Sequence, residues 1–395
     1  MKKFALISVA LPPSQSGQSM VLYHLLKQFD PRNYCLITLK NFHLYKHQGN
    51  CSTQLAAKYY FLPPDYQVIR LITHIGSAVN SRLLLEFFLN FRKNQFKKIL
   101  LKEQCEAVIG CTGGDLFDPP AAFLAGKELG IPFILYTFDF YSRQWTHPNL
   151  RAFSEEREKE LVMGAYRVIV PNKCMRDEYQ TRYGIQATVI HNPFDLEEYE
   201  RSAVNGERNM SSEPKIVYTG AIYDANFKAF HNLIAAIEKT KIPNLRLHVY
   251  TPQSKNYLKK NGIEGQVEYH NHLPNNQMPS VQRDADILFL PLAFHSPYPE
   301  IVKTSAPGKI GEYLASGRPI LVHAPADSFV SWYFQKYSCG YVVDQDDPDA
   351  LAEAIIHLLN DKKLQKKLSN NAYARAKEDF DITIAQKKFR DLLNE

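Results

Sequence analysis

Apolar residues fall along this chain in short continuous runs, and the stretches between the runs are amphipathic. The runs FALISVA (4–10), YCLITL (34–39), AKYYFL (57–62), EAVIGC (106–111), PFILYTF (132–138), RVIVP (167–171) and ATVIH (187–191) show little alternation of apolar and polar positions. Strands covered on both faces of a sheet read this way. Segments such as SMVLYHLLKQF (19–29) and AAFLAGKELG (121–130) repeat with a helical period instead. A second series comes after them: KIVYTG (215–220), LRLHVYT (245–251), VEYHNHL (267–273), DILFLPL (286–292), RPILVHA (318–324) and GYVVD (340–344), again with helical patterns between. Strand and helix in alternation predict parallel, doubly wound α/β sheets. The two series are separated by EEYERSAVNGERNMSSEP (197–214), which is polar, holds Gly and Ser, and lacks apolar period. That is the pattern of a linker. The expected organisation is a first Rossmann-like domain over 1–196, a linker over 197–214, a second domain over 215–375, and a helix over 376–395 that packs back toward the first domain.

Length supports two cores, since 395 residues exceed what one core of this kind usually holds. The formal net charge of +6 suits anionic partners without requiring them. Nucleic acid is not among the expected partners, because zinc-finger spacing and basic runs with interleaved aromatics are missing. Cys35, Cys51, Cys105, Cys111, Cys174 and Cys339 form no CxxC pair and no metal-ligand spacing. They read as free thiols of a reducing compartment. The start MKKFALISVALPP imitates a secretion signal, but its apolar run is short and Pro12-Pro13 leads into a helical pattern. A buried first strand is the preferred reading. No stretch approaches the ~20 apolar residues that span a bilayer.

The segment TSAPGKIGEYLASGRPI (304–320) carries the most specific chemistry. Ser305 reads as an N-cap and Pro307 as a first-turn residue. Ala306 and Gly308 lack bulk, so a ligand could approach the backbone. Unpaired N–H groups at a helix start favour an anion, and Lys309 adds a positive charge. Glu312 lies at i+3 from Lys309, on the same helix face. A carboxylate there suits paired hydroxyls, such as those of a ribose, rather than a phosphate. An ordinary capped helix with a Lys–Glu surface pair fits the same letters.

In SAPGKIGEYLASGRPI the chain resembles the nucleotide-sugar-binding segment of the GT-B glycosyltransferases, family 4 in particular. PPSQSGQSMVLYHLLKQF (12–29) resembles that family's first loop and helix, and IHNPFDLEEY (190–199) its exit from the first domain. VYTGAIYDANFKAFHNLIAAI (217–237) and ADILFLPL (285–292) resemble the start of the second domain and the strand before the donor site. The resemblance covers nearly the whole chain. It implies a GT-B fold, with two Rossmann-like doubly wound parallel-sheet domains facing across a cleft. It also implies a retaining transfer from a nucleotide-diphosphate sugar. Donor contacts implied are Gly17, Gly220, Thr251, Leu273, Ser305, Ala306, Pro307, Gly308, Lys309 and Glu312, with the backbone of 270–274 against the base. Lys309 and Lys228 would stabilise the leaving diphosphate. Asp139 would orient an acceptor hydroxyl or take its proton; capping of the following loop is its structural alternative. Ser16, Gln18 and His147 complete the acceptor side, although a lone loop His also serves as a structural residue.

The chain departs from the family pattern in places. Thr304 stands eight places before Glu312, where a second Glu is common; Ala221 follows Gly220 where Arg is usual; and Phe138-Asp139 replaces His-Asp. Members with the PxK form seen here would let Lys309 take over diphosphate charge. No cofactor and no metal are expected. DQDDPD (344–349) contains a DxD pattern, but it sits between a strand and a helix, where cap and first-turn acids account for it. Two rivals remain open: a catalytically inactive GT-B subunit that binds a partner enzyme, and a GT-B nucleotide-sugar epimerase.

SRLLLEFFLNFRKNQFKKILLKEQ (81–104) is long, aromatic and basic, with Arg92, Lys93, Lys97, Lys98 and Lys102 in its later half. Leu84, Phe88 and Phe91 share a face, continued by Phe96, Ile99 and Leu100. Two readings stand: a helix lying on an anionic membrane beside a lipid-linked acceptor, and a core-packing helix with a solvated basic face. The expected acceptor is a glycan or lipid-linked glycan, as in polysaccharide or glycolipid assembly. The expected location is the cytoplasm or the inner face of its membrane.

Overall fold

Among the described residues thirteen parallel strands form two sheets. The structure is a computed structural model that describes residues 2–14, 16–40, 53–74, 78–203, 213–222 and 224–394; Cys51 lies outside them. In the first half the strands are β1 (Phe4–Ile7), β2 (Tyr34–Leu39), β3 (Lys58–Leu62), β4 (Ala107–Cys111), β5 (Phe133–Tyr136), β6 (Arg167–Val170) and β7 (Thr188–Val189). The helices among them are α1 (Gly17–Leu26), α2 (Tyr66–His74), α3 (Ala78–Glu103), α4 (Asp118–Leu129), α5 (Pro148–Gly164), α6 (Lys173–Tyr183) and α7 (Leu196–Ala203). The second half holds β8 (Lys215–Thr219), β9 (Arg246–Thr251), β10 (Val267–Asn271), β11 (Ile287–Pro291), β12 (Ile320–His323) and β13 (Tyr341–Val343). Its helices are α8 (Asp224–Thr240), α9 (Lys255–Lys260), α10 (Met278–Arg283), α11 (Pro299–Thr304), α12 (Ile310–Ala315), α13 (Phe329–Lys336), α14 (Pro348–Asn360) and α15 (Lys362–Arg375), with α16 (Ile382–Asn394) closing the chain.

The sheet orders are β3-β2-β1-β4-β5-β6-β7 and β10-β9-β8-β11-β12-β13. In each, the order reverses beside the first strand, between β1 and β4 and between β8 and β11. Ligands of open α/β sheets bind outside the strand carboxyl ends at such reversals. The signal-like run at the start is β1, a central strand with all four residues buried. ATVIH keeps only two strand residues. It is an edge with one neighbour, and after Ile190 donates to Val170 O the chain turns away at Pro193.

The chain divides into one unit of residues 1–193 and 385–395 and another of residues 194–384. In the first, Phe389 of α16 packs edge-on against Phe4 and Phe29, at 6.3 and 5.8 Å between ring centres. The side-chain amide of Gln386 donates to His24 O at 2.7 Å. In the second, α8 and α14 cover a core built on Ile216, Leu247, Phe289 and Leu321. The linker expected over 197–214 is not loop throughout. Asp195 accepts the Glu198 N–H at 2.8 Å, and α7 includes Leu196 and Tyr199, both buried. A cap and two apolar positions four or fewer residues apart are enough for two turns. Residues 204–212 of that stretch lie outside the described residues. Among the described residues no helix is long and apolar enough to cross a membrane.

Candidate functional site

The helix expected from Ser305 to Gly317 is two helices with a break between them. Ser305 closes α11: its N–H donates to Val302 O at 3.2 Å, so it does not cap α12. A residue before proline is biased away from helical conformation, and the chain leaves the helix at Ser305 and Ala306, ahead of Pro307. Gly308 and Lys309 turn, and α12 starts at Ile310, whose N–H donates to Pro307 O at 3.1 Å. The capped anion site drawn from Ser305 and Pro307 is therefore not formed as expected.

The break brings the Lys309 side chain to the carboxyl end of β8. Its Nζ lies 3.7 Å from the centre of the Tyr218 ring, a cation–π contact. Gly220 makes room for it. A Cβ there would come 2.9 Å from Nζ, and the Gly220 φ of +121° disfavours other residues independently. The Tyr218 hydroxyl donates to Ala221 O at 2.7 Å, which fixes the ring beneath the ammonium. Among the described residues no carboxylate lies within ion-pair distance of Lys309. Burial pushes its ammonium down to about 7, and Glu312 acts the other way.

Glu312 lies one turn later. Its Oε2 accepts from the Gln282 amide at 2.9 Å, and among the described residues its other oxygen takes no hydrogen bond. Burial raises its carboxyl, while Gln282 and Lys309 favour the ionised form. The next residue, Tyr313, is fully buried and accepts the Thr219 N–H at 3.0 Å, tying α12 to β8. On the other side Gly311 lies against Phe194, where a Cβ would come 2.5 Å from the ring. Gly220, Lys309 and Glu312 are thus brought together by α12 pinned over the end of β8.

In the first unit the residues drawn from sequence gather at the ends of β1, β4 and β5. Ser16 caps α1, its Oγ accepting the Ser19 N–H at 3.2 Å, and Gly17 is the first helical residue. The Gln18 amide donates to Ser8 Oγ at 2.9 Å, and its oxygen occupies the space where a Cβ of Gly113 would stand. Thr112 holds the loop after β5: its Oγ1 donates to Asp139 O at 2.7 Å and accepts the Phe138 N–H at 3.0 Å. The Phe138 ring, standing where the family carries His, stacks on Tyr136 at 4.5 Å. The Asp139 carboxyl has no hydrogen-bond or ionic partner among the described residues, and burial raises it. It does not cap the next turn, since the Ser142 N–H goes to Glu158 at 2.6 Å. His147 stands at the cap position of α5 without a side-chain cap bond, its Nδ1 buried and without a partner among the described residues.

Two families match the chain in sequence: "Glycosyl transferases group 1" over residues 203–375 and "Glycosyltransferase Family 4" over residues 46–198. The chain is a GT-B glycosyltransferase of the group 1, family 4-like kind. No curated protein matches it in sequence. Solved structures with the same fold include HepE of Anabaena in complex with UDP and glucose, 13% identical with a TM-score of 0.67 and all of both chains covered. A trehalose-phosphate synthase of Burkholderia xenovorans bound to glucose-6-phosphate is 10% identical, with a TM-score of 0.70 and full coverage of both chains. The sucrose-phosphate synthase of Thermosynechococcus elongatus is 16% identical at a TM-score of 0.65, covering 100% of this chain and 98% of that one.

Several other residues of this glycosyltransferase stand apart from the Lys309 cluster. Lys228 is exposed and lies 3.6 Å from Asp346, which also meets His295 at 2.9 Å and the Asn232 amide at 2.5 Å. Thr251 is buried and donates to Gln253, whose oxygen accepts the Ile222 N–H at 3.0 Å. Leu273 is half-buried beyond the end of β10. In DQDDPD, Asp347 caps α14 by accepting the Asp349 N–H at 2.8 Å, and Asp349 pairs with Lys239.

On α3 the face expected from Leu84, Phe88 and Phe91 divides. Leu84 and Phe88 lean on the core, while Leu83, Phe87 and Phe91 are exposed. Arg92 is buried at 3.2 Å from Asp118, and Lys93 and Lys97 both meet Glu128, which leaves Lys98 and Lys102 on the exposed side. Sequence reasoning missed Tyr218, Gln282 and Tyr199 altogether. Tyr218 could have been found from its place one residue before the Thr-Gly pair that ends β8. For Gln282, in the ordinary segment MPSVQR, no signal exists.

Proposed function

We propose that this glycosyltransferase moves a sugar from a nucleotide-diphosphate donor to a glycan or lipid-linked glycan, with retention of anomeric configuration. The observation that carries the donor half is the Lys309–Glu312 pair. Among the described residues, an ammonium without a carboxylate partner stands at the end of β8, and one turn away a carboxylate keeps one oxygen uncommitted. The first suits a diphosphate and the second a vicinal diol, which together describe the two ends of a nucleoside diphosphate. Relatives of the same fold bind such compounds: HepE structures contain UDP and UDP-glucose.

Departure of the diphosphate places negative charge on its oxygens. Lys309, which burial has brought near its midpoint at neutral pH, gains a proton most readily when that charge arrives. Tyr218 and Gly220 hold it in place, so little reorganisation is needed. Asp139, whose carboxyl has no partner among the described residues, is the acceptor-side candidate for orienting a hydroxyl. Lys228 has a weaker claim than the family pattern gives it, because Asp346 already engages it.

The lipid-linked alternative for the acceptor is supported by α3. Leu83, Phe87 and Phe91 recur every four residues, so they form one stripe, and Lys98 and Lys102 continue the exposed side. An apolar stripe with basic groups suits an anionic membrane surface.

The deciding experiment is a melting screen against UDP, GDP and ADP and their sugars. One of the three nucleotides should raise the melting temperature, as any ligand of the native state does. Glu312→Ala should remove most of that rise. A rise that survives Glu312→Ala intact overturns the diol role. Products from the matching sugar nucleotide, read by NMR for anomeric configuration, test retention.

A further inference from the structure

Gln282 lies in the last turn of α10 with no exposed surface, and both the nitrogen and the oxygen of its amide are bonded. The Nε2 donates to Glu312 Oε2 at 2.9 Å and to Thr219 Oγ1 at 3.3 Å. Its Oε1 accepts from the Tyr199 hydroxyl at 2.8 Å. An ionised carboxylate only accepts, so the amide nitrogen must face Glu312 and the amide oxygen must face Tyr199. Tyr199 is itself buried on α7, beneath the Arg283 guanidinium at 5.6 Å. Tyr199 of α7, Thr219 of β8 and Glu312 of α12 therefore meet at one amide, and through it Glu312 is tied to both other elements.

We propose that Gln282, oriented by Tyr199, is the positioning residue of Glu312: it anchors one carboxylate oxygen so that the other meets the donor's ribose. This rests on the donor reading above and extends it to a residue that touches no ligand. The physical need is clear. A carboxylate on a short helix, partly withdrawn from water, tends toward the neutral acid and toward several rotamers. A neutral acid would offer a diol a donor where two acceptors are wanted. A charge-assisted bond from a fixed amide opposes both tendencies. The other titratable groups around Glu312 are Lys309, Tyr199 and Tyr313, with Arg283 beyond Tyr199. On α15 and the turn after it, Tyr373 is bonded to Glu200, and Arg375 to Glu378 and Asp379.

The test compares each nucleotide with its 2′-deoxy form. Whichever of UDP, GDP or ADP stabilises the unaltered protein is titrated beside its 2′-deoxy analogue. The unaltered protein should prefer the ribose form by about tenfold or more, as expected for a hydrogen bond to a charged group. In Gln282→Met the preference should fall toward unity, while the 2′-deoxy form keeps its affinity within about threefold. A merely structural residue would weaken both forms alike. Tyr199→Phe, which removes one hydroxyl, should lose part of the preference, and it carries the test if Gln282→Met does not fold. The outcomes separate the two claims. If none of the three nucleotides binds, or the unaltered protein shows no ribose preference, the donor reading falls and this inference with it. If the unaltered protein discriminates and both variants discriminate as well, Gln282 has no positioning role and the donor reading stands.

Discussion

Lys309 sits with its ammonium over the Tyr218 ring, and burial has lowered it to about 7 from an ordinary value of 10.5. The sign of the consequence comes from proton counting. Between those two values the unfolded chain holds the proton and the folded chain does not, so this group makes stability rise with pH across that window. Below about 7 the native state bears the full cost of an ammonium drawn out of water. Lys309→Met should therefore melt higher than the unaltered protein at pH 6, with the gap closing toward pH 10. A gap that is constant or that widens would contradict the assignment. Donor binding should move the same proton in reverse. A diphosphate restores the charge, so at pH 8 binding should draw in protons, and its affinity should fall with pH above about 7. Calorimetry in buffers of different ionisation enthalpy reads this directly, and Lys309→Met should take up none. Gly220→Ala should cost about 1–3 kcal/mol for its positive φ and should weaken donor binding by displacing Lys309, measurable by denaturant unfolding and titration.

At the scale of elements, the strands were the most legible. Runs such as YCLITL, with Thr38 its one polar residue, and ILFLP show no alternation because both faces of β2 and β11 are covered, and burial on two sides leaves no ambiguity of period. The segment 304–320 was legible in composition but not in shape. Ser, Pro and Gly at 305, 307 and 308 spell a helix start, yet they stop α11 and delay α12 by several residues, which is what carries Lys309 to Gly220. Gln282 was illegible because its partners lie 83, 63 and 30 positions away, on three other elements. On α3, apolar spacing located the helix, but it could not say which of two adjacent apolar stripes faces inward. The structure turns Leu85, Leu89 and Phe96 to the core and leaves Leu83, Phe87 and Phe91 outside. Replacing those three by Ser should leave the melting temperature within a few degrees, because exposed side chains contribute little. It should abolish sedimentation with phosphatidylglycerol vesicles. Equal binding of both proteins, or binding of neither, removes the membrane reading of this helix.

For the whole molecule, the division of the chain does not follow its linear order. The pattern reads as one helix over 376–395, but the chain is extended at Asp381 and α16 begins only at Ile382; the division between units falls within α16, at Ala385. What the pattern could not supply is the partner of that helix, since Phe389 meets rings that lie more than 350 positions earlier, at Phe4 and Phe29. The contact has a defined energetic weight. Phe389 is fully buried among Phe4, Leu22, Leu25 and Phe29, and deleting a buried ring of this kind costs about 3–5 kcal/mol. Phe389→Ala should therefore lower the stability of the first unit by that order in chemical unfolding. Gly220, Lys309 and Glu312, the residues proposed to hold the donor, all belong to the other unit. At temperatures where the variant is folded, nucleotide affinity should accordingly stay within about twofold, while unfolding shifts to lower denaturant. Effects of distant sites without shared partners are expected to be independent. A matching loss of nucleotide affinity would show instead that the chain end and the donor residues act through a common structure.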